Sequence, residues 1–149
     1  MVSRLSVLLA SFALASIASP VATSAEAKRG SELDYVLHCS GCHYMDGSGH
    51  PEQGIPDFRE QVGFFLRLPV GRAFLLQVPG LINSGLPDER RASVTNYLLR
   101  QYAGASLPAD FQPYTAEEAR RYLQTRPADI AATRRKLYQE LNALGYALR

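Results

Sequence analysis

Two cysteines and a histidine stand close together in the pentapeptide C-S-G-C-H at residues 39–43. In a helical turn, Cys39 and Cys42 point the same way, and His43 follows directly. This C-x-x-C-H pattern is typical of the covalent attachment of a c-type haem. The two thiols would form thioethers with one porphyrin, and the histidine would be an axial ligand of its iron. The motif therefore predicts one covalently bound haem c.

Three other kinds of site use the same residue types. A redox dithiol usually accompanies a βαβ pattern, and no alternating β-branched run accompanies this motif. A structural zinc site needs four ligands, but all the cysteines and histidines of this chain lie between residues 38 and 50, with no distant second pair. A disulfide between Cys39 and Cys42 would close a loop too small to stabilise the protein much. Haem attachment is the interpretation that explains the whole pentapeptide.

The amino terminus has the pattern of a secretory signal peptide. Arg4 precedes an apolar run at residues 5–18, and small residues around Ala25 offer a cleavage site. The run is shorter than the roughly 20 residues that span a bilayer, so we expect a cleaved signal at residues 1–25 and no retained transmembrane segment. Export to the periplasm agrees with a chain whose only two cysteines both lie in the motif. The formal net charge of +2 gives no indication of nucleic-acid binding.

Helical or apolar segments separated by glycine and proline are predicted on both sides of the motif. These segments are residues 30–37, 60–68, 72–78, 87–102, 115–125 and 127–144. Ser31 is the expected N-cap of the first segment, and Thr115 with Glu118 forms a capping box for the fifth. Residues 69–71 are predicted to break the helical pattern, and residues 79–80 are predicted to stop the helix at 72–78.

The order of these features resembles the class I cytochromes c, a family with one covalent haem. Tyr35 stands four positions before the first cysteine, where that family has an aromatic residue, and residues 43–49 match its H-x-x-D-G-x-G loop. Pro56 resembles the proline whose carbonyl orients the axial imidazole in the family. The resemblance covers the chain from about residue 30 to about residue 102, and it implies a small all-α domain wrapped around the haem.

From this resemblance we expect two parts after the signal peptide. Residues 28–104 would form the cytochrome c-like domain, and residues 105–149 would add two C-terminal helices. Four apolar side chains are candidate walls of the haem pocket: Phe64, Phe65, Leu81 and Ile82. Three arginines are candidates for pairing with the propionates, because arginine suits carboxylates: Arg59, Arg67 and Arg72. The basic run at 134–136 would suit an acidic redox partner, or simply form a solvated helix face.

The chain departs from the family at the second axial ligand. Class I cytochromes usually take a methionine sulfur from a loop before the closing helix, and residues 79–85 occupy that place without a methionine. Met1 would leave with the signal peptide, and Met45 follows the axial histidine too closely to cross the porphyrin plane. His50 is the candidate for the sixth ligand, with a structural histidine that pins its loop as the alternative. A tyrosine such as Tyr114, or water, also stays open.

We therefore expect an exported monohaem cytochrome that carries single electrons between redox proteins, with a periplasmic dehydrogenase as one candidate partner. An electron carrier needs no catalytic residues, so the protein is not expected to be an enzyme. A vacant sixth position would instead favour a five-coordinate haem protein that binds or senses a small ligand, with weak peroxidase activity. A third interpretation is a haem subunit that docks into a dehydrogenase complex through its C-terminal helices.

Overall fold

The structure, a computed structural model, describes residues 24–148. Between these limits the α-helices are α1 (Ser24–His38), α2 (Ser40–His43), α3 (Pro69–Leu75), α4 (Pro79–Ile82), α5 (Asp88–Tyr102), α6 (Ala116–Gln124) and α7 (Ile130–Ala143). Short 3₁₀ helices lie at Pro51–Gln53, Val62–Arg67 and Gly104–Ser106. Across the described residues the only β pairing is an isolated bridge between His50 and Ile55. The predicted all-α fold is confirmed.

The predicted signal peptide lies almost wholly outside the described residues, which begin at Ser24. From residue 24 to residue 148, no helix combines the length and the apolar character that crossing a membrane requires.

Helices α1 and α5 pack against each other and frame the fold. Tyr35 of α1 is fully buried, and its ring lies 5.9 Å from the ring of Tyr97 and 5.1 Å from that of Tyr102. Its hydroxyl donates a hydrogen bond of 2.7 Å to the carbonyl of Tyr44. The aromatic residue before the motif therefore packs on α5 and also ties α1 to the backbone directly after His43.

The first helix begins earlier than the sequence predicted, at Ser24 rather than at residue 30. Ser31 is consequently a buried residue inside α1, and the prediction that it caps the helix was wrong. Its hydroxyl donates to the carbonyl of Ala27 at 2.9 Å and lies 2.7 Å from the hydroxyl of Ser93 in α5. A serine inside a helix satisfies its hydroxyl on the carbonyl four residues back, and here it also links the two framing helices.

Residues 69–71 begin helix α3, so the break predicted there was wrong. The helix α3 does end before Pro79, at Leu75, but Pro79 begins a further helix, α4, which the sequence did not predict. Pro69 and Pro79 occupy the first turns of α3 and α4, where the N–H that proline lacks has no intrahelical partner anyway. Gly71 of α3 passes so close to the preceding 3₁₀ helix that a Cβ there would lie 2.1 Å from the carbonyl oxygen of Phe65. Proline and glycine therefore mark helix starts and a close backbone approach at these positions.

Helix α6 of the C-terminal extension packs on α5. It begins where predicted, with both hydrogen bonds of the capping box between Thr115 and Glu118 present. The carbonyl and the N–H of Tyr114 bond the side chain of Asn96 in α5, at 3.0 and 2.8 Å. The prediction of the capping box is confirmed.

Helix α7 packs on the 3₁₀ helix Val62–Arg67 and on α3. Its N-cap is Asp129, and the helix begins at Ile130, three residues beyond the predicted start. Leu137 and Leu141 of its apolar stripe are buried in a cluster with Phe65 and Phe74. The extension therefore shares its apolar core with the helices that precede it.

Candidate cofactor site

Cys39 and Cys42 lie in a single helical turn after α1. The N–H groups of Cys42 and His43 both donate to the carbonyl of Cys39, at 3.1 and 2.9 Å, and these bonds close the turn. Cys39 is half-buried and Cys42 is exposed, and both are free thiols. Burial raises the pKa of the Cys39 thiol to about 11, so the thiol is protonated at neutral pH. The turn thus places both cysteines directly after α1, three positions apart.

The imidazole of His43 is held by two residues of the loop that follows it. Its Nδ1 lies 3.1 Å from the carbonyl oxygen of Pro56, to which it donates a hydrogen bond as the resemblance implied. The ring stacks on Phe58 at a centroid distance of 3.9 Å and an angle of 17°. Burial lowers the pKa of His43, so the ring is neutral at pH 7. A neutral imidazole that donates through Nδ1 keeps a lone pair on Nε2, the state in which histidine binds a metal.

Gly49 allows the loop to pass under the carbonyl that holds His43. Its φ is +63°, and a Cβ at this position would lie 2.6 Å from the carbonyl oxygen of Pro56. The N–H of Gly49 in turn lies 3.3 Å from the carbonyl oxygen of His43. Only glycine fits both the left-handed conformation and the narrow space, so this glycine of the H-x-x-D-G-x-G pattern sets the position of the Pro56 carbonyl.

A cavity of about 500 Å³ opens beside the motif, and Cys39, Cys42 and His43 all line it. This volume falls within the roughly 300–1,000 Å³ range typical of small-molecule and cofactor sites. Much of the remaining lining is apolar. It includes side chains of the 3₁₀ helix Val62–Arg67 and of α3, α4 and α5, namely Val62, Phe65, Phe74, Leu75, Leu81 and Leu98. Of the predicted walls, Phe65 and Leu81 line the cavity, whereas Phe64 and Ile82 do not.

These residues fit a covalent haem. Two thiols of one turn and a neutral imidazole lie at the side of a large apolar cavity, and the imidazole is already fixed by a hydrogen bond to a carbonyl. Zinc is a poorer fit: no three Cys, His, Asp or Glu side chains within residues 24–148 are grouped so that they could hold a metal ion.

The sequence is similar to two curated cytochromes of Thermus thermophilus, each named cytochrome c-552. One is 29% identical over an alignment of 119 residues, and the match covers 66% of this chain and 90% of the relative. The other, from a defined strain of the same species, is also 29% identical over an alignment of 119 residues. This match covers 66% of this chain and 80% of the relative. This similarity supports a c-type cytochrome. No family model and no solved structure matches the chain.

In a c-type cytochrome the far side of the haem plane usually carries a second axial ligand, and His50 was the sequence candidate for it. His50 does not line the cavity. Its Nε2 is hydrogen-bonded to the hydroxyl of Tyr44, and its Nδ1 lies 3.0 Å from a carboxylate oxygen of Glu52. Its backbone pairs with Ile55. These contacts are those of a histidine that pins the loop, which is the alternative that the sequence left open.

Neither Tyr114, the tyrosine that the sequence left open for the sixth position, nor Met45, which the sequence excluded, lines the cavity. Met45 is 59% exposed. Tyr114 is buried under α6, where its hydroxyl donates to the carbonyl of Arg72 at 2.7 Å. His38 is exposed and lines the cavity directly before Cys39. Among the described residues that line the cavity there is no methionine, and the only histidines are His38 and His43.

The three arginines proposed for propionate contacts are engaged elsewhere. Arg59 pairs with Asp57 at 2.8 Å, Arg72 pairs with Glu118 at 3.0 Å, and the guanidinium of Arg67 lies 5.8 Å from the ring centre of Tyr146. None of the three lines the cavity. The propionate prediction therefore has no support for these arginines.

Sequence reasoning missed the part that α7 plays in the cavity. Ile130, Arg134 and Tyr138 of this helix line it, although Arg134 was read only as part of a basic run. The spacing of these three residues could have indicated their shared role, because residues four positions apart lie on the same face of a helix. This face lies beside the apolar stripe that contains Leu137 and Leu141.

Proposed function

We propose that this protein is an exported monohaem c-type cytochrome that carries single electrons between redox proteins. The observation that carries the proposal is the placement of Cys39, Cys42 and His43 together on a large apolar cavity, with the His43 ring held by the carbonyl of Pro56. The similarity to two cytochromes c-552 supports the same function.

In this proposal the side chains of the motif attach and orient one haem. Cys39 and Cys42 would hold the haem through two thioether bonds, and Nε2 of His43 would bind its iron. The haem supplies a one-electron ferric–ferrous couple when bound. Pro56 and Phe58 fix the imidazole, which limits reorganisation during electron transfer. The apolar walls exclude water, and the exposed Cys42 marks the edge at which a partner would approach.

Location and partner follow from the same proposal. Residues 1–25 would direct export to the periplasm and then be removed. A periplasmic dehydrogenase is a candidate electron donor. The chain after cleavage would consist of the haem domain at residues 28–104 and the extension at residues 105–149. Electron transfer of this kind requires no catalytic residue in the protein.

A reductive titration tests the carrier function. Purified protein should take up one electron equivalent per chain and return it to a one-electron acceptor such as ferricyanide. The visible spectrum should pass between two forms with fixed isosbestic points, because a single haem has a single couple. Uptake of two or more equivalents, or no reversible couple, would contradict a monohaem carrier.

A second candidate function is the binding of a small ligand at the sixth position of the iron. The observation that favours it is the composition of the cavity lining, in which the described residues offer no methionine and no second histidine apart from His38 at the motif. His50 has hydrogen-bond partners on both ring nitrogens. Weak peroxidase activity would belong to this candidate. The third interpretation was docking into a dehydrogenase complex through the C-terminal helices. It gains no support from α7, because the buried leucines of this helix pack on the core of the same chain.

Carbon monoxide binding tests the second candidate. We expect the ferrous protein to bind carbon monoxide, with a shift of its Soret band, because the described residues that line the cavity include no methionine and no histidine other than His43 and His38, which directly precedes the motif. The ferric protein should show a high-spin signal in its paramagnetic resonance spectrum. A low-spin iron that is inert to carbon monoxide would contradict the open position, and His50→Ala would then be the first variant to compare.

A further inference from the structure

We propose that Arg134 of α7 binds a propionate carboxylate of the haem, so that the C-terminal extension forms one wall of the cofactor site. The inference rests on the proposed function, because it requires a haem attached through Cys39 and Cys42. It assigns to the extension a place in the site that the resemblance to class I cytochromes, which ends near residue 102, does not cover.

The first step is the placement of α7. Ile130, Arg134 and Tyr138 lie four residues apart, share one face of the helix and line the cavity. Leu137 and Leu141 on the neighbouring face are 2% and 0% exposed, and they pack with side chains that include Phe65 and Phe74. This packing fixes the rotation of α7 about its axis, so Arg134 faces the cavity because the two leucines are buried.

The second step is the position of the guanidinium. Nη1 of Arg134 donates a hydrogen bond of 2.9 Å to the carbonyl of Gly54, in the loop that also carries Pro56. This bond holds the charged group between α7 and the loop that fixes His43. A guanidinium has five N–H donors, so the remaining donors can serve a carboxylate, for which arginine has the matching planar geometry.

The third step is charge. Arg134 is the only arginine or lysine among the described residues that line the cavity. A haem brings two carboxylates to its site, and apolar walls cannot stabilise a buried charge. A cationic side chain at the cavity edge provides the partner that such a group requires.

The test compares the reduction potentials of four haem-loaded proteins: wild type, Arg134→Gln, Arg134→Lys and Arg135→Gln. A positive charge beside the haem stabilises the reduced iron, so Arg134→Gln should lower the potential. We expect a change of about tenfold in the ferrous-to-ferric ratio at a fixed electrode potential, which is about 59 mV for one electron. Arg134→Lys keeps the charge and should retain most of the potential.

Arg135→Gln is the matched control, because it removes the same charge from the same helix at an exposed position outside the cavity lining. Its potential should equal that of the wild type. An unchanged potential in Arg134→Gln, or an equal fall in Arg134→Gln and Arg135→Gln, would overturn the inference. The second result would show a general effect of net charge rather than contact with the haem.

A second measurement covers the case in which Arg134→Gln does not fold. The propionate bending mode in the resonance Raman spectrum responds to hydrogen bonding, and it should shift between wild type and Arg134→Lys, because lysine cannot make the same bidentate contact. The absence of a shift would contradict the contact.

Haem staining after denaturing electrophoresis separates the two proposals. A wild-type protein without covalent haem contradicts the proposed function. Attached haem whose potential and Raman spectrum do not change when Arg134 is replaced contradicts this inference alone.

Discussion

Replacing Cys39 and Cys42 together by alanine is expected to abolish covalent haem attachment. Both thiols lie in one closed helical turn and line the same cavity. The chain has no other cysteine, so no second pair can replace them. The variant should lose haem-dependent peroxidase staining completely after denaturing electrophoresis, because without thioether bonds only non-covalent contacts hold the cofactor. The measurement is the intensity of haem staining per amount of protein.

Two single substitutions make the result specific. Cys39→Ala should keep a weaker band, because one thioether to Cys42 still forms. Ser40→Ala, inside the same turn, removes only a hydroxyl that donates to the carbonyl of Val36 at an exposed position, and its staining should equal that of the wild type. Full staining of the double variant would disprove attachment through this motif.

Replacing Leu141 by alanine is expected to lower the free energy of unfolding by about 2–5 kcal/mol. The side chain is fully buried in the cluster that joins α7 to Phe65 and Phe74. Truncation removes buried methyl groups and leaves a cavity that the surrounding side chains fill only in part. The measurement is the denaturant midpoint of the haem-loaded protein. Because α7 also lines the cofactor cavity, the Soret band or the reduction potential should change as well.

Leu144→Ala is the matched control on the same stretch of chain. Leu144 is the C-cap of α7, three residues after Leu141, and its side chain is 60% exposed. The substitution should therefore change the free energy of unfolding by less than about 0.5 kcal/mol. The spectrum and the potential should not change. Equal effects of the two substitutions would contradict the packing of α7 described above.

The features that the sequence predicted well are set by neighbouring residues. The spacing of Cys39 and Cys42 within one turn, the capping box at Thr115 and the all-α pattern depend on local backbone geometry and side-chain periodicity. The contact between His43 and the carbonyl of Pro56 came from the resemblance to class I cytochromes, and it is present at 3.1 Å. Such features can be read without knowing how distant segments pack.

Proline and glycine misled the sequence analysis where packing decides their use. Pro69 and Pro79 read as helix breakers, yet each starts a helix. Gly71 read as part of a turn, yet it lies inside α3, where only the absence of a side chain permits the approach to Phe65. Proline is found after the end of one helix and also in the first turn of the next. The residue type alone therefore does not show whether a proline ends a helix or begins one.

The sequence by itself determined the all-α class, the motif that can attach a haem, and the helix that follows the capping box, because each depends on residues within a few positions of one another. Only the tertiary structure decided that the ring nitrogens of His50 are taken up by Tyr44 and Glu52 and that α7 turns Arg134 toward the cavity. The physical reason is that a side chain's partners across the fold depend on how whole helices rotate and pack. That packing is set by buried residues such as Leu137 and Leu141, which lie far along the chain from the motif they help to enclose.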